Sequence, residues 1–253
     1  MDYARTLTKR PRELSAKQAG GLIGLAALAS LLLLALPLLG YPFRLLITIV
    51  HELSHGLAAI LTGGDFVRFV VYPNGAGLAY TSGGWRLVVI PAGYLGVALF
   101  GAGLIWLGRS ARWSRVALAL IGGLMMYFAL RYGLPSVFAG EILAGLLTAV
   151  SGLIFGGLFL LAAIKAPLGG VMFVLHLIAF QAAITALTDL VGLIGLSSRF
   201  FNAPENDALS MAQFTFIPAI FWAVLWAVVA FALIGGAVWL TWLRPAVRAI
   251  NGH

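Results

Sequence analysis

Cysteine is absent from the 253 residues of the chain. That excludes disulfides and thiolate metal ligands alike. Charge is scarce as well: 9% of residues are Asp, Glu, Lys or Arg, against about 25% in soluble domains. Apolar residues make up 62% instead, and the mean hydropathy is +1.03. So little charge cannot coat a water-facing surface, which excludes a soluble enzyme, a disordered chain and a disulfide scaffold. The net charge of +8 reads as basic loops held at anionic lipid headgroups. Arginines interleaved with aromatics occur only in the short 109–115 loop, so no nucleic-acid partner is expected. The composition predicts an all-α polytopic membrane protein in contact with the lipid bilayer.

Apolar runs long enough to cross roughly 30 Å of hydrocarbon fall near 20–39, 43–62, 85–107, 114–131, 139–164, 169–195 and 214–243. They predict about seven transmembrane helices in a single membrane domain over 20–243, between a basic tail at 1–19 and a short tail at 244–253. Ala27-Leu28-Ala29 resembles a signal-peptide cleavage site, but the long basic region and full-length apolar stretch favour a retained anchor. An inside amino terminus would place nine basic residues on the cytoplasmic side and seven opposite. That difference is small. The tail with Arg5, Lys9, Arg10, Arg12 and Lys17 tips the reading towards a cytoplasmic amino terminus, because the first helix often dominates.

Residues 66–82, FVRFVVYPNGAGLAYTS, are rich in β-branched and aromatic side chains on both sides of Pro73-Asn74-Gly75. This is a hairpin signal, two extended strands around a turn. Bare strand edges are excluded from hydrocarbon, so the hairpin must lie at the interface or against other helices. A free edge there could pair with a guest peptide.

His51-Glu52-Leu53-Ser54-His55 stands inside the second apolar run. On a helix, positions four apart project about 40° from one another, so both imidazoles leave one face. That spacing suits two ligands of one tetrahedral Zn²⁺. Glu52 lies about 60° from His55 on the same side. There it can take a proton from a water that such a metal acidifies. With four His and four Glu in the chain, the pattern is expected by chance about once in a thousand such sequences. Each charged group at mid-bilayer also carries a cost of roughly 2–3.5 kcal/mol. Buried histidines joining helices by hydrogen bonds are the plainer alternative, and the metal reading outweighs it.

Zinc needs a third protein ligand and an open fourth position. The candidates are few: Asp65, Glu141, His176, Asp189, Glu205, Asp207 and His253, with Asp2 and Glu13 in the tail. Asp189 is the carboxylate well inside an apolar span, and a lone intramembrane carboxylate wants a cation. It is the first choice, Asp207 the second and His176 the third. His176 precedes Asp189 by 13 residues, about 20 Å along a helix, so the two cannot share one metal.

His51 to Ala59 (HELSHGLAA), Thr62-Gly63-Gly64, the hairpin and Thr81-Ser82-Gly83-Gly84 together resemble the site-2 protease-like intramembrane zinc metallopeptidases. The likeness is closest to the compact bacterial branch without a PDZ domain. It implies that His51, His55 and a later transmembrane aspartate hold zinc, that Glu52 activates water, and that the Asp189 helix runs parallel to the motif helix. It also implies a multi-pass protein of a bacterial inner membrane. The chain departs from the family pattern where Thr188-Asp189-Leu190 stands in place of a Leu-Asp-Gly motif. The expected function is hydrolysis of peptide bonds in or near membrane segments of protein substrates, with Glu52 catalytic and Zn²⁺ as cofactor. A non-proteolytic zinc-binding scaffold and an ion-coupled transporter are the alternatives. Retention of Glu52 disfavours the first, and the lack of an internal repeat disfavours the second.

Overall fold

A computed structural model describes residues 15–197 and 205–251. The basic tail up to residue 14, Arg199 and His253 lie outside the described residues. Ser15 caps the first helix through a reciprocal capping box with Gln18. That helix, α1 (Ala16–Ala35), is joined through Leu36 to α2 (Pro37–Leu61), which starts on a proline where a missing N–H costs nothing. A β-hairpin follows, β1 (Asp65–Val71) and β2 (Gly77–Ser82). Next come α3 (Arg86–Val89) and α4 (Ala92–Leu107). α5 (Ala111–Phe128) passes through a π turn at Ala129–Gly133 into α6 (Pro135–Phe138). α7 (Ile142–Lys165) and α8 (Leu168–Ser197) precede the short α9 (Asp207–Thr215). α10 (Ala219–Val238) ends in a π turn at Trp239–Leu243 and is followed by α11 (Arg244–Asn251).

Among the described residues six helical spans are long and apolar enough to cross a membrane, and α4 is a shorter apolar helix. The protein is a multi-pass integral membrane protein. Two of the expected runs are divided. The run near 85–107 breaks at Pro91, which has no N–H to continue a ladder and serves as the N-cap of α4. The run from 214 breaks at Phe216, left-handed at φ 61°, and resumes after Pro218.

Side chains of α2, α4, α5, α8, α10 and the hairpin share one core, with Leu46, Phe69, Ile105, Leu118, Leu175 and Leu190 fully buried. Outer faces expose Leu31, Leu99, Leu120, Ile154 and Phe231 to lipid. Packing between helices in lipid depends on close approach rather than on a hydrophobic drive. Gly152 and Gly156, the small-residue pair expected in α7, meet Ala129 and Gly122 so closely that any side chain would clash. Gly20 and Gly24 in α1, the other such pair, face no neighbour within 4 Å. α4 runs antiparallel to α2, with Tyr94 on His51 and Ala92 near Ala58 and Ala59. It is also antiparallel to α8, with Gly101 against Ala182 and Gly108 against His176.

The hairpin forms over the expected residues, in antiparallel register from Asp65↔Ser82 to Val71↔Gly77. Its turn is closed by Gly75 N–H donating to Tyr72 O at 2.8 Å, with Gly75 at φ +84°. The outer edge of β1 is covered by side chains: Val71 N–H donates to Thr148 Oγ1 (2.7 Å), and Ser136 Oγ donates to Phe69 O (3.0 Å). Tyr72 and Tyr80 hydroxyls donate to Glu141 Oε1 at 2.7 and 3.0 Å, and Arg68 pairs with the same carboxylate. Burial alone would raise the Glu141 carboxyl. Those donors outweigh it and hold the group below the ordinary carboxylate range.

Candidate metal centre

α2 winds His51, Glu52 and His55 onto the face that looks at α4 and β2. Glu52 and His55 are buried, and His51 is partly so. The two imidazoles converge, Nε2 to Nε2, at 3.1 Å. Asp207 Oδ2 lies 3.3 Å from each of them. His55 Nδ1 is 2.7 Å from Val89 O. A carbonyl can only accept, so the ring proton is on Nδ1 and the Nε2 lone pair points at Asp207. Acceptor atoms packed this closely repel one another unless a positive charge lies among them. Tetrahedral zinc with bonds of 2.0–2.1 Å would set its ligands about 3.3–3.4 Å apart. The two spacings to the carboxylate fall in that range, and the imidazole pair is slightly closer at 3.1 Å. The Val89 carbonyl supplies the kind of outer hydrogen bond that would orient His55 as a ligand.

Asp207 reaches this position from the first turn of α9. Asn206 caps that helix, its side chain accepting from Leu209 N–H at 3.0 Å. Ala208 and Met211 are fully buried and root the short helix in the bundle. Burial would raise the Asp207 carboxyl, but positive charge on the imidazole side of the cluster outweighs it and holds the group well below the ordinary range.

Asp189, the carboxylate expected to complete the site, opens onto the same cavity but is not one of the three converging groups. Its charged neighbours are His51 and Arg44. The structure brings Asp207 to the pair because the segment before α10 folds inward as a helix of its own. His176, the third choice, is remote from the pair. Its Nδ1 is 2.8 Å from Met172 O and its ring stacks on Trp242 at 5.9 Å. Asp65 starts β1 and is exposed, and Glu141 is engaged by the hairpin. Glu205 lines the rim of the cavity.

That cavity has a volume of about 820 Å³. It is bounded by the three convergent groups, Glu52, Tyr94, Arg86, Asp189 and the residues of β2 and its turn. Two glycines shape it. A Cβ on Gly93 would stand 2.2 Å from His51 Nε2 and 2.4 Å from His55 Nε2. One on Gly77 would stand 2.4 Å from Glu52 Oε1. Both leave the functional atoms room. Neither is distinguishable by sequence among 31 glycines.

No curated protein and no solved structure matches the chain. A family model described as Peptidase M50B-like matches residues 24–237. The matched stretch starts in α1 and ends in α10, and it takes in the motif helix, the hairpin and both aspartates. With that coverage, well over half of its length, the chain belongs to the Peptidase M50B-like family.

Proposed function

We propose that the protein is an intramembrane zinc metalloendopeptidase, with His51, His55 and Asp207 holding the metal and Glu52 as general base. The observation that carries this reading is the convergence of two imidazole nitrogens and a carboxylate oxygen within 3.3 Å, with a buried glutamate next in the chain to one of them. Zinc in that set supplies an acidified water and an electrophile for the scissile carbonyl. The rest of the chemistry belongs to the chain. Glu52 takes the proton from the attacking water and returns it to the leaving amine. The Ala79 backbone amide, on β2, hydrogen-bonds to Glu52 and fixes its carboxylate against the cavity wall.

The substrate is a membrane-embedded protein segment. A helix shields its own peptide bonds, so the segment must be extended before attack. β2 lines the cavity while the outer edge of β1 is covered by Thr148 and Ser136. The cavity-side edge of β2, beyond the Ala79 amide that Glu52 holds, is thus where an unwound segment adds as a strand. A bacterial inner membrane fits the resemblance. A Glu52→Gln variant tests the role of the base. It should keep its metal, lose cleavage, and leave an uncleaved membrane protein accumulating in cells relative to wild type. Unchanged processing in that variant would remove the catalytic assignment.

A further inference from the structure

The end of the bundle remote from the metal centre has a one-sided charge. It is formed by the carboxyl ends of α4, α7 and α10 and the amino ends of α5 and α8. Gly108 meets His176, His176 stacks on Trp242, and the Arg115 guanidinium donates to the Ala163 and Ala166 carbonyls. Arg109, Arg112, Arg115, Lys165, Arg244 and Arg248 lie here. The described carboxylates are Glu52, Asp65, Glu141, Asp189, Glu205 and Asp207, all at the metal centre, the hairpin or the cavity rim. Among the described residues Arg109 and Arg112 therefore have no carboxylate partner, and both are exposed.

A cleft of about 110 Å³ opens at this end, lined by Trp106, Leu107, Arg109 and Trp113. The Arg109 guanidinium lies 4.3 Å over the Trp106 ring, which holds the charge at the cleft instead of letting it sweep the solvent. Trp106 and Trp113 are each about half exposed, at 48% and 53%. They stand in the last turn of α4 and the first turn of α5, at the end of an apolar helix pair where tryptophan rings settle at a membrane interface. A guanidinium without a carboxylate partner, stacked on one indole in a cleft that a second indole lines, complements a phosphate whose acyl chains lie against the apolar helix faces below.

We infer that this cleft is a seat for the headgroup of an anionic phospholipid, with Arg109 binding the phosphate, the two indoles lining the seat, and the exposed Arg112 of the next helical turn adding to the local positive charge. Native mass spectrometry of the detergent-purified full chain, titrated with dioleoyl phosphatidylglycerol or dioleoyl phosphatidylcholine, tests it. Phosphatidylglycerol should be retained in preference to phosphatidylcholine. The Arg109→Gln/Arg112→Gln double variant should weaken that retention on the order of tenfold. Arg131→Gln removes an exposed cation near the other end of α5 and should leave retention unchanged, and inorganic phosphate should not displace the lipid. Equal retention of both lipids, or a double variant that retains phosphatidylglycerol as wild type does, would overturn the proposal. So would equal weakening by Arg131→Gln, or displacement by inorganic phosphate.

Discussion

At the residue scale the centre depends on a hydrogen atom. Gly93 brings α4 against the two imidazoles, and a methyl group there would occupy the space between their Nε2 atoms. Gly93→Ala should therefore reduce bound zinc by about tenfold or more, the loss typical of disturbing a ligand's surroundings. The protein should otherwise remain folded, because Ala is the better helix former. Metal content against circular dichroism measures both, and a Gly93→Ala protein with full metal would contradict the packing described. The histidine pair and Glu52 were legible in the sequence because three ionisable groups in five apolar positions have no cheaper explanation. The carboxylate was not settled that way. Burial within an apolar run singles out Asp189, whereas Asp207 follows Asn206 in a polar stretch that reads more readily as a solvated helix cap. It is a cap, and the helix it starts points back into the bundle.

At the element scale the hairpin is held from one side and open on the other. Its existence, limits and turn follow from alternating β-branched and aromatic residues around Asn74-Gly75. Its partners do not, since Thr148, Ser136 and Glu141 are more than 60 residues away in the chain. Three donors stabilise the charged form of Glu141, so its carboxyl sits below the ordinary range when folded. That contribution is present above the ordinary carboxylate range and lost as pH falls through the lowered folded value. Glu141→Gln should cost about 1.5–3 kcal/mol at neutral pH, the range for hydrogen bonds to a charged group. It should also flatten the acid-side fall in thermal stability seen in wild type. Melting curves in detergent at neutral and acid pH check this, and a wild-type-like acid dependence in the variant would remove the clamp from the account.

At the scale of the whole molecule, scarcity of charge is what made the membrane architecture readable. Seven apolar runs are present, but two are interrupted at Pro91 and at Phe216–Pro218, and both interruptions serve the site. The first lets α3 set the Val89 carbonyl beside His55, and the second lets α9 carry Asp207 inward. Hydropathy averages across such breaks, so a window wide enough to find a span cannot see them. In the bundle α2 and α8 bury more than half of the residues in their most apolar stretches and α1 few, which places the candidate metal centre among the most enclosed spans. The central claim is that Asp207, rather than Asp189, completes the zinc site of this bundle. Zinc per protein in purified wild type, Asp207→Ala and Asp189→Ala, each prepared alike, tests it most directly. The account predicts zinc near one per chain in wild type and Asp189→Ala, and loss in Asp207→Ala. Retention in Asp207→Ala with loss in Asp189→Ala would contradict it.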